Sequence, residues 1–143
     1  MTNRTTRMPE AFAVLIFLLA CDGGPALAQV DLTSPYPAEV ALSQEGDKGY
    51  LFRRNPGSQR LYTYDKDQPD RSVCNEGCSG ARPPVPAPAG AKALGLWTVV
   101  KRDDGTLQWA YRGHPVYTMY HDAPSNPTGD GEDGQWHLLP YEK

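Results

Sequence analysis

The chain has 143 residues and a formal charge of −3 at neutral pH, from 14 basic and 17 acidic residues. That length suits a single domain, and the lack of a basic excess removes the electrostatic support that nucleic-acid binding requires. With 22% charged and 39% hydrophobic residues the chain is globular in composition rather than disordered, and 14 Gly and 14 Pro favour turns and short strands over long helices.

Residues 1–28 read as an export signal. Arg4 and Arg7 precede the uncharged apolar run Ala11 to Ala20. Gly23, Gly24 and Pro25 then break any helix, and Ala26-Leu27-Ala28 offers small residues at the positions a signal peptidase reads. The apolar run is too short to span a bilayer, which takes ~20 residues, and no second long run follows. The mature chain is therefore expected to lack a transmembrane segment, to begin at Gln29, and to be periplasmic or secreted. Leu18-Leu19-Ala20-Cys21 offers a second route, because it resembles a lipobox whose Cys21 would carry a lipid anchor. The bulky Leu19 and the complete Ala-x-Ala site downstream favour soluble release over a membrane-anchored lipoprotein.

Residues 29–45 form a proline-punctuated N-terminal extension with a first weak strand pattern, Val40 to Ser43. Residues 46–143 then read as one domain: a first repeat over about 46–82, a Pro-rich connector over 83–93, and a second repeat over about 94–140. Tyr50 to Arg53 is a strand pattern, Asn55-Pro56-Gly57-Ser58 a turn, and Leu61 to Tyr64 the aromatic, β-branched return of a hairpin. Cys74 and Cys78 fall in a polar, Gly-containing stretch and are expected on a short helical turn. In an exported chain they read as a disulfide, with Cα atoms near the upper end of the bridging range. Their spacing is not that of a redox motif, and no second Cys pair completes a zinc site.

Pro83, Pro84, Pro86 and Pro88 make an extended stretch with few ladder donors, expected as a stiff connector or a covering strand on the surface. Trp97 to Arg102 and Leu107 to Tyr111 form a hairpin across Asp103-Asp104-Gly105. Alternation of Leu107, Trp109 and Tyr111 with Gln108, Ala110 and Arg112 predicts one buried and one wet face. After Arg112-Gly113-His114-Pro115 a strand is expected over Val116 to Tyr120, and Gln135 to Leu139 closes the chain. About seven short strands without an amphipathic helix define an all-β fold: two hairpin-plus-loop repeats sharing one core, with a short helical turn at the Cys pair.

The repeat is visible in the residues. Leu61-Tyr62-Thr63-Tyr64-Asp65-Lys66-Asp67 is echoed 55 positions later by Val116-Tyr117-Thr118-Met119-Tyr120-His121-Asp122. Two such units suggest a pseudo-symmetric pair rather than a solenoid. With these motifs the chain resembles the bacterial secreted-repeat proteins, predicted lipoproteins with a Tyr-x-(Phe/Trp/Tyr)-x-x-Asp motif. Tyr62, Tyr64 and Asp67 fit that motif in full; Tyr117 and Asp122 fit it with Met119 at the aromatic position. The likeness extends through Cys74 and Cys78, Pro83-Pro84, Asp103-Asp104-Gly105, Thr128 to Gly131 and Trp136-His137, although Arg82 stands where such proteins place Trp. The resemblance implies export and a role not yet assigned.

On this reading the motif tyrosines are core or half-core residues, and Asp67 and Asp122 bond nearby backbone N–H groups where strand meets loop. The alternative makes the paired aromatics a groove for a glycan or peptide. His114, His121 and His137 all lie in the second repeat, and Met119 and His121 would share a face of one strand. Thioether and imidazole ligands suit copper, so His114, Met119, His121 and His137 form a candidate metal set. Asp130 to Gly134 invites calcium but lacks the bidentate Glu of a helix-loop-helix site, since His137 takes that place. No motif for acyl or phosphoryl transfer is present. The expected function is a non-enzymatic binding or structural module of the cell envelope without cofactor, its partner an envelope protein or polysaccharide. The alternative is a periplasmic copper- or calcium-binding protein.

Overall fold

The computed structural model describes residues 35–123 and 126–141. The export signal, Gln29 and Cys21 lie outside the described residues. Seven short strands are present among the described residues: β1 (Val40–Gln44), β2 (Tyr50–Arg54), β3 (Tyr62–Tyr64), β4 (Trp97–Lys101), β5 (Leu107–Tyr111), β6 (His114–Pro115) and β7 (Trp136–Leu138). The only helical elements among the described residues are two 3₁₀ turns, Gly46–Lys48 and Glu132–Gly134. Among the described residues the strands form three small antiparallel sheets, β1-β2, β3-β7 and β4-β5-β6.

β1, within the expected N-terminal extension, is half of the first hairpin. β1 pairs with β2 from Val40↔Arg54 to Gln44↔Tyr50, and β4 pairs with β5 from Trp97↔Tyr111 to Lys101↔Leu107. The two hairpins have equal strands and equal connections, residues 45–49 and 102–106. β3 departs from the expected hairpin with β2. It touches β2 where the Leu61 N–H donates to Phe52 O at 3.0 Å, then pairs in full with β7, Tyr62↔Leu138 to Tyr64↔Trp136.

Each hairpin is completed by a segment from elsewhere in the chain. In the first repeat the Phe52 N–H donates to Leu139 O at 3.2 Å, Leu139 N–H to Leu61 O at 2.8 Å, and Leu61 N–H to Phe52 O. The second repeat contains the same ring: Trp109 N–H to Val85 O at 2.9 Å, Val85 N–H to Val116 O at 3.0 Å, and Val116 N–H to Trp109 O at 3.0 Å. The end of each repeat thus crosses into the other, and at the centre Tyr62 and Tyr117 exchange both backbone bonds at 2.9 Å.

The proline stretch is consequently an extended segment that enters the core on one side, not a surface cover. Val85 and Ala87 are buried and use their N–H groups, Ala87 donating to Leu107 O at 2.9 Å, while Pro86 and Pro88 alternate with them on the exposed side. Proline keeps the chain extended where no donor is needed. This segment also explains why β5 has no wet face. Pro86 bridges to Gln108, and both Gln108 and Ala110 are 0% exposed.

The shared core has two parts. One gathers equivalent residues of both repeats, Val40 and Trp97, Phe52 and Trp109, Leu61 and Val116, Leu139 and Val85. The other holds Leu51, Tyr62, Cys74, Tyr117, Met119, Trp136 and Leu138. The Cys74–Cys78 disulfide forms across a tight turn closed by Ser79 N–H to Asn75 O at 2.9 Å, with Gly77 at φ 81° where a helical turn was expected. Its Cα separation is 5.2 Å, shorter than expected because that turn curls tightly.

Candidate functional site

The two motif copies bond across the repeats. The Tyr62 hydroxyl donates to Asp122 Oδ2 at 2.7 Å, and the Tyr117 hydroxyl donates to Asp67 Oδ2 at 2.7 Å. Each carboxylate spends its other oxygen on backbone: Asp67 Oδ1 accepts the Val73 N–H at 2.7 Å and Asp122 Oδ1 the Thr128 N–H at 2.8 Å. Both aspartates therefore fix the loop six residues on, as their place at the strand end suggested. Their reach into the opposite repeat was not legible in the motif.

Burial, with the facing Asp122 carboxylate, pushes the Tyr62 phenol far above its ordinary pKa. Burial raises Tyr117 as well; Ser72 opposes the shift and Asp67 adds to it. Burial also lifts Asp67 above its ordinary value, although the Val73 N–H, the Tyr117 hydroxyl and Arg102 pull it down.

Behind Tyr117 stands a residue that sequence reasoning missed. Arg102, 5% exposed, donates to Ser72 Oγ at 2.9 Å, Gln108 Oε1 at 2.6 Å and Cys74 O at 2.6 Å. Ser72 lies 2.7 Å from the Tyr117 hydroxyl, so donors run in one direction from Arg102 through Ser72 and Tyr117 to Asp67. Nothing in the local pattern separates Arg102 from the half-exposed Arg53 and Arg54, because two of its partners, Ser72 and Cys74, arrive from a distant loop.

Tyr64 stacks on Trp136 with centroids 4.3 Å apart, and Tyr117 meets the same ring edge-on at 5.3 Å. Tyr62 and Tyr117, at 0% exposure, fill the core, while Tyr64 remains half-buried beside Trp136. Arg82 takes the place of the expected Trp contact: its guanidinium lies 5.0 Å from the Trp136 centroid and pairs with Glu132.

The candidate copper ligands are not brought together. Met119 is buried over Gly129, where an added Cβ would sit 2.0 Å from its methyl carbon. The strand expected over Val116 to Tyr120 is not formed: β6 is His114–Pro115, Tyr117 makes only isolated bridges, and the chain turns with Asp122 N–H donating to Met119 O at 3.2 Å. That turn leaves His121 exposed, its ring edge-on to Tyr120, and off the face that holds Met119. Among the described residues no three His, Cys, Asp or Glu side chains are placed to hold one metal ion. In the loop considered for calcium, Asp130 Oδ1 accepts the Leu138 N–H at 3.1 Å and Asp130 Oδ2 faces Lys48 at 3.4 Å.

His114 and His137 do share a cleft of about 520 Å³ with Asp65, Asp67 and Arg112, walled by Tyr64, Tyr111 and residues 138–140. His137 Nε2 lies 2.9 Å from Asp65 Oδ2, and both side chains are about half exposed. Arg112 and Gly113 make the two-residue turn from β5 to β6 with φ of 50° and 81°. A left-handed backbone at both positions is the geometry that favours Asn or Gly, so Arg112 sits there under strain.

These features define a small all-β domain of two interlocked repeats. A family model described as a secreted repeat of unknown function matches residues 98–139, which run from β4 to β7 and include the second motif copy. The likeness seen in the motifs is met over those residues. No curated protein and no solved structure gives a significant match. Among the described residues no helix is long and apolar enough to cross a membrane.

Proposed function

We propose that this protein is an exported, non-enzymatic module of the bacterial cell envelope, released in soluble form after Ala28 and acting by binding an envelope polysaccharide or protein. The observation that carries this reading is the saturation of the motif residues. Each motif tyrosine that pairs across the repeats is buried with its hydroxyl on a carboxylate of the other repeat, and each carboxylate is also held by a backbone N–H. Groups so satisfied hold a scaffold; a catalytic acid or base needs access to substrate and a pKa near the working pH. Export is supported by the match to a secreted repeat and by a disulfide, which persists in oxidising compartments.

The test is fractionation of the native host followed by intact mass measurement without chelator. The expected species is extracytoplasmic, starts at Gln29, contains the Cys74–Cys78 bridge and bears no metal. A cytoplasmic chain that retains Met1 and two free thiols would contradict export. A stoichiometric copper or calcium adduct would contradict the metal-free module, and an acyl group on Cys21 would replace soluble release by anchoring.

A further inference from the structure

The pseudo-symmetry of the fold separates what the scaffold needs from what the cleft adds. Asp65 and Tyr120 hold equivalent places, their N–H groups donating to Gln135 O at 3.0 Å and Ala81 O at 3.1 Å. His137 lies opposite Thr63 as Pro83 receives the N–H of Thr118, and His114 follows β5 as Gln59 follows β2. The same backbone is therefore built with Tyr120, Pro83 and Gln59 on one side and with Asp65, His137 and His114 on the other. The fold does not require three ionisable side chains here, nor Arg112 at a strained position beside them.

The chemistry of the cleft narrows its occupant. The Asp65 carboxylate, imidazoles able to donate or accept, and a guanidinium donor stand over a wall of Tyr64, Leu138, Leu139 and Pro140. An anion would meet Asp65 and Asp67, a cation would meet Arg112, and an apolar ligand would leave these groups without water. A neutral sugar matches all of them, since each hydroxyl both donates and accepts while its C–H face packs on aromatic and proline rings. The volume is within the range of about 300–1,000 Å³ common to small-ligand sites.

We propose that this cleft binds a neutral saccharide unit of an extracytoplasmic glycan. The proposal rests on the reading of the chain as an envelope binding module and names its ligand class. The mature, disulfide-bonded chain is titrated by NMR with neutral oligosaccharides (N-acetylglucosamine, glucose and mannose oligomers) and with uronic-acid oligomers. The expected result is shift changes at Thr63–Asp65, His114 and His137 with a neutral oligomer. Its affinity should fall at least about tenfold in Asp65→Ala and in His137→Ala and hold in Tyr120→Ala at the equivalent place. Both cleft side chains are half exposed, and unchanged melting of the variants shows that the fold is intact.

Absence of binding to every neutral oligomer overturns the proposal, as does preference for the uronic acids or binding that Asp65→Ala leaves unchanged. Shifts at His114 and His137 produced by copper alone, at stoichiometric concentration, would assign the cleft to a metal instead. An extracytoplasmic chain that binds no sugar removes this inference only, whereas a cytoplasmic location removes the envelope reading itself.

Discussion

A phenol buried against a carboxylate is held in its neutral form, and that ties the stability of this protein to pH at the alkaline end. Tyr62 and Tyr117 both have pKa values raised above the ordinary 10.0 by burial and by their aspartates. The folded state then keeps a proton that the unfolded chain releases once the pH passes the ordinary tyrosine value. The stabilisation is fully present below about pH 10 and is lost as the pH rises from there toward the folded-state values. Denaturation midpoints are expected to be level from pH 8 to 9.5. Above pH 10 each tyrosine should lower stability by up to about 1.4 kcal/mol per pH unit. Tyr62→Phe, which has no proton to lose, should make the alkaline slope shallower. A slope unchanged by that substitution would show that Tyr62 is not the group responsible.

At the scale of elements, the strands with local signals were legible and the pairings between distant ones were not. Trp97 to Tyr111 shows its hairpin because Asp103-Asp104-Gly105 sits between two runs of strand-forming residues, and β4 and β5 form there. Tyr62 to Tyr64 reads as a strand for the same reason, but its partner β7 lies far along the chain, so only part of the expected hairpin exists. The proline run misleads a local reading, since few donors suggest an outer strand. Placing the prolines at alternate positions leaves the N–H groups of Val85 and Ala87 for the core. Met119 and His121 part for a related reason: shared facing holds only while a strand continues, and the chain turns after Met119.

Substitution within the proline run tests that reading. Ala87→Pro removes a donor to Leu107 and should destabilise by about 1–3 kcal/mol. Pro86→Ala, at an exposed position without a donor role, should change stability by less than about 1 kcal/mol. Equal effects in urea denaturation would mean that the alternation has no structural meaning.

The whole molecule is two copies of one plan that neither copy completes alone. Leu139 closes the ring of backbone bonds around Phe52, Val85 closes the matching ring around Trp109, and each motif tyrosine finds its aspartate in the other repeat. The Tyr-x-x-x-x-Asp spacing is therefore an interlock, and its partners are 122 for 62 and 67 for 117. The cleft beside β3 and β7 is where the symmetry is broken, and the backbone pairing of those strands sets the register of its wall.

Double-mutant cycles of folding stability distinguish that interlock from a motif closed on itself. Tyr62→Phe combined with Asp122→Ala, and Tyr117→Phe with Asp67→Ala, should show coupling of about 1–3 kcal/mol. The within-motif pairs, Tyr62→Phe with Asp67→Ala and Tyr117→Phe with Asp122→Ala, should be additive to within about 0.5 kcal/mol. Stronger coupling within each motif than across the repeats would contradict the interlocked fold.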